Sequence, residues 1–145
     1  MVSRVAERFR NVALTAVAEA SGSLEERAVA ALDAVFHQDN RALLLAMHEL
    51  LSIAPREPSV AEAVHEHVAT ARKLVAVLIQ GQDDPEALRA AAQALAVVQG
   101  YISLWIWSGA GDPAPWRQEA ERSARILLTE FASGRVRGRS AGATG

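Results

Sequence analysis

Three polar side chains stand where an amphipathic helix would carry a hydrophobic one. His67 interrupts the series Val60, Val64, Ala71, Leu74 and Leu78; His48 lies beside Leu44 and Leu51; Gln99 lies among Leu95, Ile102 and Ile106. An unpaired buried polar group costs about 1–3 kcal/mol, so each needs a partner, either inside the protein or in a ligand. For a single imidazole on an apolar face, the ordinary outcome is a core histidine satisfied by one hydrogen bond. Three such groups on three helices can also converge on one cavity, with an apolar wall and a few polar atoms that orient a bound molecule. An imidazole there can serve as general acid or base.

Metal chemistry has one opening in the sequence. Glu62-Ala-Val-His65 has the Glu-x-x-His spacing of di-iron bundles. A second copy and two further carboxylates are missing, so Glu62, His65, Glu66 and Arg72 read as a solvated face with i,i+4 charge pairs, and no metal site is assigned. His65 and His67 point to different sides of a regular helix and cannot chelate together. No phosphate loop, Gly-x-Gly-x-x-Gly or His-Glu-x-x-His motif is present. Tyr101, Trp105, Trp107 and Trp116 cluster late in the chain; they suit core packing or a pocket or interface with one polar neighbour.

The elements that must position these groups are helices. Every long segment has a 3.6-residue period and none alternates in the manner of strands, so the fold class is all-α. The first helix spans about residues 2–20, with Val5, Phe9, Val12 and Ala16 on one face, and Ser21-Gly22 stops it. Ser23 and Glu26 form a capping box for a second helix that ends near His37. Asp39 or Asn40 caps a third, through Met47 to Ala54, closed by Pro55 and Pro58. A fourth runs over about 59–80 and ends at Gly81; Asp83 or Asp84 with Pro85 opens a fifth that lasts to about 108. From Leu95 to Ile106 this fifth helix is apolar nearly all round and should be covered on more than one side. A sixth covers about 113–133, with Trp116, Ala120, Ala124, Leu127, Leu128 and Phe131 inward. One helical domain over 1–134 and a flexible Gly/Arg/Ser tail over 135–145 follow.

The chain of 145 residues, half hydrophobic and 22% charged, with mean hydropathy +0.08, is long enough for one core and too apolar for a disordered chain. No run approaches the ~18 apolar residues of a membrane span, and no signal-peptide core opens the chain, which places it in the cytoplasm and off the membrane. The absence of cysteine excludes disulfides, thiolate zinc sites and a cysteine nucleophile. A net charge of −2 and a pI near 6.1 argue against direct nucleic-acid binding. Lys73 is the single lysine among 15 basic residues, and alanine is abundant, as in GC-rich bacterial genomes.

The helix order, and the words at the joints, resemble the C-terminal regulatory domain of TetR/AcrR-family transcriptional regulators. The stretches concerned are Gly22-Ser-Leu-Glu-Glu-Arg, Asp39 through Leu51, Ala54-Pro-Arg-Glu-Pro-Ser-Val, Asp84-Pro-Glu-Ala-Leu-Arg and Gly100-Tyr-Ile-Ser-Leu-Trp. The likeness covers about residues 2–134 and rests on helix order, with no invariant chemical motif. It implies a six-helix bundle whose last two helices form a four-helix dimer interface, with Ala120, Ser123 and Ala124 allowing close approach. By helix position it implies a pocket for an apolar or aromatic small molecule that draws on Phe9, Met47, His48, Val64, His67, Gln99 and Trp105. No cofactor is implied. The family's helix-turn-helix module has no counterpart in the sequence, so the expectation is a ligand-binding, dimerising regulatory-type domain without its own DNA-binding module, with a heterodimer with a full-length regulator as a further arrangement. The alternative is a small cofactor-free lyase, cyclase or isomerase that uses the same cavity, with His48 or His67 as general acid/base.

Overall fold

Each helix begins or ends where the sequence supplies a local device for it. In the computed structural model, which describes residues 2–81 and 84–142, α1 spans Val2–Glu19, α2 Leu24–Val35, α3 Arg41–Ile53, α4 Pro58–Gln80, α5 Pro85–Trp107 and α6 Ala114–Gly142, with a short 3-10 turn at Gln38–Asn40 before α3. There is no strand among the described residues.

The Ser23 hydroxyl accepts from the Glu26 amide at 3.2 Å while the Glu26 carboxylate accepts from the Ser23 amide at 3.1 Å, so α2 opens on the reciprocal box. Gly22, at φ 111°, cannot be replaced cheaply, because a side chain is strained at that backbone angle, and a Cβ would also push the Glu26 carboxylate out of the box. Asp84 caps α5 by accepting from the Ala87 amide at 2.8 Å, with Pro85 at the first helical position; Asp83, the other candidate cap, lies outside the described residues.

Two boundaries differ from the sequence expectation. Asn40 precedes α3 without a side-chain cap bond and instead donates to the Ala34 carbonyl at 2.6 Å, tying the turn back to α2. The sixth helix continues past Gly134 to Gly142; glycine inside a helix costs only about 1 kcal/mol, and the flanking arginines are good helix formers. Residues 143–145 of the expected tail lie outside the described residues.

The core gathers around Trp105. This ring is fully buried with Phe36, Leu32, Val35, Leu44, Ile102 and Ala120, and its indole N–H donates to the Gly111 carbonyl at 3.0 Å. Ala110, left-handed at φ 50°, is held by the bond from its amide to the Trp105 carbonyl and by burial of its methyl in the same core. A second cluster, Ala76, Ala87 and Ala91, lets the end of α4 lie directly on the start of α5. Tyr101 and Ser123 join α5 to α6 through their hydroxyls at 3.1 Å. Arg117 with Asp33, and Arg125 with Glu25, join α6 to α2, while Arg125 also pairs with Glu121 one turn earlier on α6.

Helix α5 is covered by α4 and α6, yet one stripe stays open: Gly100 is exposed, and Leu104 and Trp107 are 41% and 71% exposed. By length and composition α5 also meets the test for a membrane span, with mean hydropathy 1.3 over an 18-residue window, where the sequence reading finds no such run. Mostly buried core helices pass the same test, whereas 22% of this window is buried inside the protein.

Candidate ligand cavity

The alanines decide where space is left. At Ala13, Ala28, Ala31, Ala71, Ala92 and Ala124 a methyl group stands on an inward helix face where a larger side chain would fill the interior, and together these positions border a cavity of about 530 Å³. That is within the range of small-molecule sites. All six helices contribute. Phe9 comes from α1, Leu32 and Val35 from α2, Met47 and Leu51 from α3, Val68, Val75 and Leu78 from α4, Leu95, Val98 and Ile102 from α5, and Leu127, Leu128 and Phe131 from α6. The cavity is neither sealed nor flat, and among the described residues three polar side chains line it: His67, Arg72 and Gln99.

His67 is buried at 6% exposure, with its ring edge-on to Phe9 at 5.8 Å between centroids. Its Nδ1 lies 3.0 Å from the Arg10 guanidinium. Arginine only donates, so Nδ1 accepts and the imidazole carries its proton on Nε2. Burial pushes the His67 pKa below its ordinary value, and the neighbouring Arg10 charge lowers it further. The ring is therefore neutral at neutral pH. Its Nε2–H has no protein acceptor among the described residues, and the same holds for the half-buried Gln99 amide. Both are free to meet a polar atom of a ligand.

The structure brings together Phe9, Met47, His67 and Gln99 of the seven residues expected at the pocket, and places three elsewhere. His48 turns away from the cavity and packs edge-on against Trp107, with centroids 6.1 Å apart. Its interruption of the apolar stripe marks a helix border beside the C-terminal end of α5. Trp105 lies behind the wall, in the core cluster with Leu32, Val35 and Ile102, and Val64 is half-buried outside the lining.

Comparison with family models, curated proteins and solved structures finds no match. The chemistry of the site therefore has to be argued from its own residues.

Arg72 is the group that the sequence reading misplaced. Read as part of a solvated face with Glu62, His65 and Glu66, it lines the cavity instead, and none of the four ion pairs among the described residues involves it or those glutamates. The available signal was its register: Val68, Arg72 and Val75 follow the i, i+4, i+7 spacing of one face. Arg10 was also missed, because its contact with His67 joins residues 57 apart and leaves no local trace.

Glu62 and His65 are both exposed, and no group of three His, Asp or Glu converges among the described residues. A Gly-x-Ser-x-Gly string at 138–142 lies within α6, not on the strand-to-helix turn that exposes a serine nucleophile. A more open and more polar groove runs between α1 and α3, bordered by Arg8, Asn11, Thr15, Glu19, Asp39 and Asn40. It brings no convergent set of reactive groups together.

Proposed function

We propose that this chain is a small-molecule-binding domain of the regulatory type, of the kind its helix order resembles in TetR/AcrR-family regulators, and that it works as a homodimer. The observation that carries the binding reading is the cavity of about 530 Å³ bordered by every helix, apolar except for His67, Arg72 and Gln99. A bundle with no ligand to accommodate would gain packing contacts by closing such space with larger side chains. The test is titration of the full chain with the neutral dye Nile red. Saturable, blue-shifted emission is expected, weakened in Ala31→Phe, which narrows the cavity from α2. Unchanged dye emission with the unmodified protein would overturn the reading.

Support for the dimer comes from the open stripe of α5, Gly100, Leu104 and Trp107, and from Ile126 on α6, 58% exposed. The small residues first assigned to that interface are used inside the chain: Ala120 is fully buried and Ser123 bonds to Tyr101. Heterodimerisation with a full-length regulator would use the same stripe.

The enzyme reading draws on one observation, a neutral imidazole fixed by Arg10 in a cavity wall. Its chemistry is less suited to proton transfer than to binding. The nitrogen that could accept a proton already accepts from Arg10, and the free nitrogen carries a hydrogen. His67 can polarise a ligand oxygen as a hydrogen-bond donor but has no free lone pair with which to act as base.

A further inference from the structure

Resting on the cavity reading, we infer that the ligand is an uncharged, mostly hydrocarbon molecule with a ketone- or ester-type oxygen, and that the Nε2–H of His67 holds this oxygen. His67 borders the cavity, yet the residue is 6% exposed. Its two ring nitrogens have different surroundings. Nδ1 accepts from Arg10 at 3.0 Å, and Arg10, on α1, is outside the lining. Nε2 leaves the ring in another direction and carries the hydrogen. The buried side-chain nitrogens closed off without a partner among the described residues are the Nε atoms of Arg27, Arg72 and Arg117. His67 Nε2 is not one of them, although no protein acceptor meets it, so this donor keeps contact with open space, and the open space at His67 is the cavity. Phe9, which also borders the cavity, stands edge-on at 5.8 Å between ring centroids, so the imidazole is held from two sides before a ligand arrives.

The charge of the ligand follows from what the wall lacks. Among the described residues no Asp or Glu lines the cavity, so a cation would give up its water without a counter-charge. An anion fares no better. Arg72 is among the lining residues, but its Nε is closed off and its Nη2 reaches the Leu88 carbonyl at 3.4 Å, and a neutral His67 brings no charge. The Gln99 amide aside, the remaining wall is alkyl groups, the Met47 thioether and the rings of Phe9 and Phe131, which suits a hydrocarbon body. A fixed donor in such surroundings is costly while unpaired, and an acceptor oxygen that brings neither charge nor a hydrogen of its own removes that cost.

The experiment compares three probes of one shape by their displacement of Nile red from the full chain: a methyl naphthyl ketone, the isopropenylnaphthalene in which a methylene replaces the ketone oxygen, and the naphthoate. The ketone is expected to displace the dye, and the carboxylate to bind at least about tenfold more weakly than the ketone. His67→Phe, which keeps a flat ring and removes the donor, should weaken the ketone about tenfold and leave the alkene unchanged. The infrared stretch of the bound ketone, labelled isotopically at its carbonyl carbon, needs no variant to fold. It should lie below its value in an alkane solvent, because a donor weakens the C=O bond, and return to that value in His67→Phe. The inference is overturned by a ketone that leaves bound dye in place, by an alkane-like stretch in the unmodified protein, or by a naphthoate that binds as tightly as the ketone. A lowered stretch that survives His67→Phe and is lost in Gln99→Leu overturns it as well. If Nile red binds and the ketone stretch is alkane-like, the His67 anchor alone fails. If Nile red does not bind, the cavity reading fails and takes the anchor with it.

Discussion

His67 links stability to pH with a definite sign. Its pKa in the folded chain lies below the ordinary 6.5, through burial first and the Arg10 charge second. Between those two values the unfolded chain binds the extra proton, so stability is fully present above pH 6.5 and declines as pH falls through that window. His67→Asn keeps an acceptor in the position of Nδ1 but does not titrate, and it should flatten that part of a stability profile from urea unfolding at several pH values. An unchanged slope would move its origin to another group. Gln99→Leu tests the other unpartnered polar group: removing this amide should leave the fold as stable or more stable and weaken a ligand that bonded to it. At this scale the sequence was legible wherever a polar residue interrupted an apolar stripe, as His67 and Gln99 did. The same signal misled at His48, because a stripe also has borders, and period alone does not tell a border from a cavity wall. Arg72 escaped because an arginine near glutamates on one helix reads as surface, although its long stem lets it share an apolar face.

The helices themselves were legible because their ends are written in local chemistry that needs no tertiary context. Ser23 with Glu26, Asp84 with Pro85, and Gly81 at φ 74° each act within a few residues. Loss of the capping box in Ser23→Ala should cost about 1 kcal/mol in equilibrium unfolding. Gly134 shows the limit of such signals, since a glycine ends a helix only where the following chain turns away in the left-handed conformation, and the backbone here continues to Gly142. Pairing between helices was less legible. The α4–α5 contact depends on Ala76, Ala87 and Ala91, all fully buried, and in a chain rich in alanine nothing in the sequence separates an alanine that permits contact from one that leaves a cavity. Ala91→Leu should therefore force the two helices apart and cost roughly 1–3 kcal/mol. Ala31→Phe, on a cavity face, should be tolerated. Similar losses at both positions, measured side by side, would show that the two alanines play the same part.

Across the whole molecule the balance between inner and outer apolar surface bears on assembly. The small side chains that the resemblance implies at a dimer interface on α6 are turned inward: Ala124 borders the cavity beside Leu127, Leu128 and Phe131, Ala120 belongs to the core around Trp105, and Ser123 bonds to Tyr101. An arginine at Ala124 would act on the cavity and is no test of association. Among the apolar side chains left outside, Leu104 and Trp107 stand together on the α5 stripe, and Ile126 is exposed on α6. Around Gly100 nothing lies within 4 Å of where a Cβ would stand, so a second helix can approach its backbone closely, and Leu104 and Trp107 extend the same face with apolar surface that the chain itself leaves uncovered. A symmetric dimer places this patch against its own copy, which is how most soluble homo-oligomers close. Leu104→Arg would then set two like charges near the axis and should convert a dimer into a monomer in sedimentation equilibrium at micromolar concentration, with helicity and Nile red binding retained. Gly100→Leu should weaken association as well, by holding the two backbones apart. A monomer mass for the unmodified chain would remove the dimer from the reading while leaving the cavity untouched, because none of these three stripe residues lines it.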